Sequence, residues 1–203
     1  MKVAQGIDLI DGTNANVYVF AVDGAVVQVD AGFDKSAQEV LSYYESKGIK
    51  PTAVILTHSH MDHIRGLKAI FDLYRPSVYA HRYEIPVITG QRSQYSKNRL
   101  MSILSPFFKA PPVPLINDVT GLTLPNVRVI ETPGHTPGSI TILLERADGR
   151  FAFVGDAAFE RDGTLYVNER YSLDVQKARE SLRAITSLSP ITVLPGHGKP
   201  LRV

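Results

Sequence analysis

The chain has 203 residues, of which 44% are hydrophobic and 21% charged, ordinary globular values that exclude a disordered or fibrous protein. The formal net charge is only +2 and the 22 Lys and Arg residues are scattered, so nucleic acid is not a favoured partner. The absence of Cys excludes disulfides, thiolate ligands and a Cys nucleophile, and leaves His and carboxylates to hold any metal.

Short apolar runs rich in Val and Ile predict buried strands along the chain. They cover residues 17–22, 25–29, 53–57, 127–131, 139–144, 151–154 and 191–194. Asp23 and Gly24 form a typical hairpin turn between the first two runs, so part of the sheet is predicted to be antiparallel. Apolar residues at helical spacing predict helices over residues 36–47, 64–74 and 175–185. Strands that alternate with helices are typical of an α/β protein.

Residues 86–118 fit neither pattern, because a polar segment is followed there by an apolar patch and a Pro-rich run. We interpret this stretch as a linker or as a cap over the functional site. The apolar patch consists of Leu100, Met101, Leu104, Phe107 and Phe108. We interpret it as core or as a homodimer contact rather than as a wall that faces substrate.

The length predicts one domain over residues 1–203. The first residues, MKVAQGIDLIDG, lack the charged start and the apolar stretch of a secretory signal. No apolar run approaches the ~20 residues that a membrane-spanning helix needs. We therefore expect a cytoplasmic protein that does not associate with membranes.

Four of the apolar runs lead directly into His or Asp residues, in the segments LTHSHMDH, ETPGH, FVGD and LPGHG. Because the carboxyl ends of neighbouring strands converge at one edge of an α/β sheet, we expect these groups to form one site. His58 and His60 lie two residues apart in an extended segment, so both can point to the same side and share one metal. Asp62 and His63 follow where the chain turns into a helix, which aims them at a second position.

Five of the six His residues lie in these segments, namely His58, His60, His63, His135 and His197. The remaining residue, His81, is interpreted as a surface residue or as one that supports a ligand from behind. Imidazole and carboxylate without thiolate suit zinc, iron or manganese, so the sequence predicts a transition-metal site.

Residues 58–63, HSHMDH, match the H-x-H-x-D-H signature, and the segments TPGHTPGS, GD and PGHG follow in order. With these motifs the chain resembles the metallo-β-lactamase superfamily from its first strands to its end. The resemblance implies a four-layer αββα sandwich with a metal site at the rim between two sheets. It also implies two divalent ions, with zinc favoured and iron or manganese as the alternatives. The resemblance assigns one ion to His58, His60 and His135 and the other to Asp62, His63 and His197, with Asp156 bridging the two.

The resemblance further implies a hydrolase for a small-molecule substrate, in which a metal-bridging hydroxide attacks the carbonyl carbon of a thioester, ester or lactone. Asp62 and Asp156 would be the catalytic carboxylates, because they can hold the nucleophile and manage its proton. The motifs are most similar to the glyoxalase II and lactonase branches. The alternative is a mono-iron persulfide dioxygenase with only His58, His135 and Asp156 as ligands. A β-lactamase is less favoured because the sequence lacks an export signal. A non-catalytic scaffold is less favoured because every ligand position of the motifs is filled.

Overall fold

Two β-sheets that pack face to face form the centre of the protein, in a computed structural model that describes residues 1–33, 35–97, 113 and 115–203. The first sheet consists of β1 (Lys2–Ala4), β2 (Ile7–Ile10), β3 (Val17–Val22), β4 (Ala25–Val29), β5 (Ala53–Ile55), β6 (Ser77–Ala80) and β7 (Asn117–Asp118), which are neighbours in that order. Its strands are antiparallel from β1 to β4 and parallel from β4 to β7. The hairpin predicted between the first two apolar runs is thus confirmed.

The second sheet has the strand order β14-β13-β10-β9-β8. Its strands are β8 (Val127–Glu131), β9 (Ile140–Arg146), β10 (Gly149–Gly155), β13 (Thr192–Pro195) and β14 (Leu201–Arg202), and a small hairpin of β11 (Phe159–Arg161) and β12 (Thr164–Tyr166) follows β10. Strand β9 is antiparallel to both β8 and β10, while β13 is parallel to β10. Strands β8, β10 and β13 therefore end at the same edge.

Helices cover the outer faces of both sheets. They are α1 (Ser36–Lys47), α2 (Met61–Ile64), α3 (Leu67–Tyr74), α4 (Ile85–Ile88) and α5 (Val175–Thr186). Within the described ranges, no helix combines the length and the apolar character needed to cross a membrane.

Alternation of side chains along the strands builds three apolar layers. Val19 of β3 packs toward α1 and α3, whereas its neighbour Phe20 points into the space between the sheets. Phe153 of β10 enters this central layer from the opposite sheet, and the next residue, Val154, packs outward in the same layer as Ile185 of α5. Three apolar layers separate four structural layers, so the predicted αββα sandwich is confirmed.

The helix predicted over residues 64–74 is broken into α2 and α3. The break lies at Gly66, where an added Cβ would be only 2.1 Å from the carbonyl oxygen of Ala31. The N–H of Gly66 donates to the carbonyl oxygen of Gly32, and the carbonyl oxygen of His63 accepts from the N–H of Ala31, so these groups pair with the segment after β4 instead of continuing the helix. The apolar patch predicted within residues 100–108 lies outside the described residues.

Phe153 is fully buried, and its ring centroid lies 5.0 Å from that of Phe20 and 5.5 Å from that of Tyr18. We expect Phe153→Ala to lower the free energy of unfolding by about 3–5 kcal/mol, because it leaves a cavity between the sheets. Leu73→Ala, at a position 61% exposed on α3, is the control and should cost less than about 0.5 kcal/mol. Urea unfolding followed by circular dichroism measures both, and equal losses would contradict this packing.

Candidate metal centre

The seven ligands predicted from the sequence meet at one rim of the sandwich. The first sheet supplies His58, His60, Asp62 and His63, from the loop after β5 and from α2. The second sheet supplies His135, Asp156 and His197, from the segments that follow β8, β10 and β13. Each ligand thus lies just beyond the carboxyl end of a strand, as the sequence predicted.

The side chains form two groups of candidate ligands. One consists of His58, His60, His135 and Asp156, the other of Asp62, His63 and His197, and the ligand atoms within each lie within 4.8 Å of one another. The carboxylate of Asp156 faces both groups. Its Oδ2 lies 3.3 Å from Nε2 of His135, and its Oδ1 lies 3.2 Å from Nε2 of His63.

Several atoms in the centre are buried without a hydrogen-bond partner among the described residues. They include Nε2 of His58, Nε2 of His63 and Oδ1 of Asp156. Leaving a buried polar atom unpaired costs about 1–3 kcal/mol, so such a cluster is unusual in a protein core. Because imidazole nitrogens and carboxylate oxygens are ligands for zinc, iron and manganese, the residues fit divalent transition metals and do not select one of them.

Hydrogen bonds behind the centre orient two of the imidazoles. The carboxylate of Asp30 accepts from Nδ1 of His63 at 2.7 Å and from the backbone N–H of Thr57 at 2.7 Å. The Thr57 hydroxyl also donates to Asp30, at 2.8 Å, so it accepts from Nδ1 of His58 at 3.1 Å. One buried carboxylate therefore leaves Nε2 of both imidazoles pointing into the centre.

Two further imidazoles are held by different contacts. Nε2 of His60 lies 3.2 Å from the carbonyl oxygen of Tyr95, which can only accept, so Nδ1 of His60 is the nitrogen that faces Nε2 of His135 at 2.8 Å. The ring of His197 is stacked on that of Phe159, with centroids 5.4 Å apart and 3° between the planes. Its orientation is therefore set by packing.

The imidazoles have opposite pKa shifts. Burial is the main cause that lowers the pKa of His58 well below its usual value and the pKa of His135 to about 3. Burial also lowers the pKa of His63, but the negative charges of Asp156 and Asp30 outweigh it and raise this pKa well above the usual value. A metal ion therefore finds neutral imidazoles in the first group and must displace a proton from His63.

Both carboxylates of the centre stay ionised. Burial raises the pKa of Asp62 and Asp156, but the charges and hydrogen bonds of the surrounding imidazoles, His63 foremost, together outweigh it, so that both carboxyl groups have a pKa below their usual value. Two negative charges at one rim favour divalent cations.

Two glycines allow the loops to approach one another. Gly155 has a left-handed φ of +49°, and an added Cβ there would lie 2.4 Å from Oγ1 of Thr57. An added Cβ at Gly196 would lie 2.5 Å from Oδ1 of Asp156 and 2.7 Å from Cε1 of His63. Neither position has room for a side chain.

The structure adds two buried carboxylates that the sequence analysis missed. Asp30 directly follows β4, so the pattern of a strand followed by an acid, which identified Asp156, would have found it. Glu84 is fully buried but follows no strand directly and has no such signal. His81 is only 2% exposed and belongs to neither ligand group, so the prediction of a surface residue is wrong, and that of a residue that supports a ligand from behind stays a prediction.

A cavity of about 400 Å³ opens above the two groups. It is lined by His60, Asp62, His135, Asp156, Phe159, Asn168, Tyr171 and His197. This volume is in the range of small-molecule sites. Ligand-type residues form its floor, and two aromatic rings and an amide complete its lining.

Residues 10–197 match the family model of the Metallo-beta-lactamase superfamily. The probable metallo-hydrolase YflN of Bacillus subtilis (strain 168) is 30% identical, over 98% of this chain and 86% of that protein. A hydroxyacylglutathione hydrolase of Saccharophagus degradans is 28% identical, over 94% of this chain and 60% of that protein. The crystal structure of the B3 metallo-beta-lactamase BLEG-1 is similar, with a TM-score of 0.73 and 25% identity over 97% of this chain and 93% of that one. The crystal structure of TTHA1623 in a di-iron-bound form has a TM-score of 0.74 and 22% identity, over 96% of this chain and 93% of that one.

We expect Gly196→Ala to displace the carboxylate of Asp156 and thereby to weaken metal binding, because its Cβ would occupy the space beside Oδ1. Gly121→Ala is the matched control, since an added Cβ there meets nothing within 4 Å. Metal content after dialysis against a weak chelator, with the melting temperature measured in parallel, compares the two variants. Full retention of metal by Gly196→Ala would contradict this geometry.

Proposed function

We propose that this chain, which belongs to the metallo-beta-lactamase superfamily and is a metal-dependent hydrolase, cleaves a thioester, ester or lactone at a two-metal centre. The observation that carries the proposal is the arrangement of the ligand atoms in two groups with one carboxylate facing both. A mono-iron centre that used only His58, His135 and Asp156 would leave the second group without a role. The two-metal hydrolase accounts for all of these side chains.

Asp156 is proposed to bridge the two ligand groups. Its Oδ2 faces His135 and its Oδ1 faces His63, so a single carboxylate can serve both at once. Its pKa is lowered and its side chain is almost completely buried, so it brings a permanent negative charge to the centre. Without that charge the second group would depend on Asp62 alone for its anion.

Bound divalent cations supply Lewis acidity, which lowers the pKa of water and polarises a carbonyl group. Asp62 is proposed to orient the attacking water, because its side chain is 36% exposed and lines the cavity. Its carboxylate is ionised and can accept a hydrogen bond from that water. Nε2 of His197 lies 3.1 Å from Oδ2 of Asp62, so both side chains are placed to serve the second group.

The upper part of the cavity is proposed to bind the acyl portion of the substrate. Phe159 and Tyr171 offer aromatic surface, and the amide of Asn168 can hydrogen-bond to a polar group. Among the described residues, the cavity lining contains no Lys or Arg. These features support a small acyl substrate recognised mainly by contact with aromatic rings and by its carbonyl group.

We expect the purified protein to bind close to two transition-metal ions per chain and to hydrolyse a thioester or a lactone, with little activity on β-lactams. Metal analysis combined with assays of a glutathione thioester, a γ-lactone, a penicillin and a phosphoester tests this directly. Saturation at one ion, or efficient turnover of the penicillin with inert thioester and lactone, would contradict the proposal.

We expect Asp156→Asn to lower turnover by more than about 100-fold while the fold is retained, because asparagine keeps the size but removes the negative charge that faces both groups. Asp72→Asn is the matched control, since it removes the same charge from an exposed side chain paired with Lys68. Metal content, circular dichroism and turnover are measured for both variants. Near-parental turnover with two ions bound to Asp156→Asn would show that the bridging role is wrong.

A further inference from the structure

Glu84 is a fully buried carboxylate to which the proposed chemistry gives no role. It lies immediately before α4, and its two oxygens point in different directions. Oε2 accepts hydrogen bonds from the backbone N–H of Ser59 at 3.0 Å and from the Ser59 hydroxyl at 2.5 Å. Oε1 accepts one from the backbone N–H of Gly138 at 2.8 Å. These three contacts satisfy both oxygens.

The partners of Glu84 belong to the loops that carry the first ligand group. Ser59 stands between His58 and His60 in the loop after β5 of the first sheet. Gly138 follows His135 in the loop between β8 and β9 of the second sheet. One side chain therefore joins the two loops that supply all three imidazoles of this group.

Both ends of this connection need an acceptor. Each loop presents a backbone N–H, and an ionised carboxylate accepts through both oxygens, whereas a glutamine accepts through one end and donates through the other. Burying a carboxylate is costly unless it is hydrogen-bonded in this way, so a residue that only filled space could be neutral at lower cost. A carboxylate therefore fits both loops, whereas a glutamine of the same shape fits only one of them.

Gly138 also packs closely against the side chains of Glu84 and His81. An added Cβ at Gly138 would lie 2.7 Å from Oε1 of Glu84 and 2.8 Å from Nδ1 of His81. The loop after His135 therefore rests directly on the carboxylate, with no side chain between them. This contact fixes the distance between the loop and the Glu84 side chain.

We propose that Glu84 is a positioning residue for the first ligand group: it holds the two loops at the separation at which His58, His60 and His135 converge on one metal ion. This inference rests on the proposed metal-dependent function. It concerns a side chain that lies outside both ligand groups. We expect no effect on the second group, although Asp62 and His63 follow Ser59 in α2. His63 is oriented by Asp30, and His197 comes from the segment after β13.

The test measures each ligand group separately. In a His197→Ala background, Co²⁺ added to chelator-treated protein reports on the first group. In a His60→Ala/His135→Ala background, which leaves the first group only His58 and Asp156, it reports on the second. Visible absorbance of Co²⁺ gives the dissociation constant and the coordination spectrum. We expect Glu84→Gln to weaken Co²⁺ binding about 10–100-fold and to change the spectrum in the first background, and to have no effect in the second.

Glu131→Gln is the matched control in both backgrounds. Glu131 is another carboxylate beside His81, with Oε1 3.2 Å from Nε2 of that ring, but its side chain is 64% exposed. Removing its charge should leave both dissociation constants at the parental value. A loss as large as that of Glu84→Gln would show that the effect is one of general electrostatics and would overturn the proposal.

Unchanged Co²⁺ binding by Glu84→Gln in the first background would overturn the proposal, and so would equal weakening in both backgrounds, which indicates a general loss of stability. If Glu84→Gln does not fold, Ser59→Ala replaces it, because this variant removes one of the three hydrogen bonds and keeps the carboxylate. A smaller loss confined to the first group is then expected, and parental affinity overturns the proposal. Failure of the parent protein to bind Co²⁺ would instead contradict the metal-dependent function.

Discussion

Asp30 directly follows β4 and has its carboxylate inside the protein, where it accepts hydrogen bonds from Thr57 and His63, and the candidate metal centre is arranged around this contact. Its backbone has a left-handed φ of 61°, which Asp tolerates better than most residues. The kink turns the chain out of the sheet and leaves the carboxylate beside the end of β5. From there it orients His63 directly and His58 through the Thr57 hydroxyl.

The carboxylate of Asp30 is also one of three that surround the buried ring of His63. His63 has Asp30, Asp62 and Asp156 around it, and their combined charge raises its pKa even though the ring is completely buried. The proton on His63 in turn lowers the pKa of Asp62 and Asp156. A partner removed from such a buried set leaves its neighbours uncompensated, which typically costs about 3–5 kcal/mol.

The sequence predicted the candidate ligands because their signal is local: each follows an apolar strand within a few residues, and strand ends gather at one rim. Other features depend on contacts between distant segments. Glu84 lies 25 positions from Ser59 and 54 from Gly138, so no local pattern connects it with the centre. The break between α2 and α3 depends on how closely Gly66 approaches Ala31 of a different segment. The short strands β1, β2 and β6 were missed because apolar runs of three or four residues are too brief to stand out.

The candidate ligands come from both sheets, which also meet through the central apolar layer and through hydrogen bonds such as that from the Tyr18 hydroxyl to the carbonyl oxygen of Pro195. In the first group, His58 and His60 come from one sheet and His135 and Asp156 from the other. An ion shared by these residues would act as a cross-link at the edge of the sandwich, in addition to any chemistry it performs. Metal affinity and the cohesion of the two sheets are then thermodynamically linked, since whatever separates the sheets also pulls the ligands apart. The rim would therefore be the most rigid end of the loaded protein and the first to open after chelation.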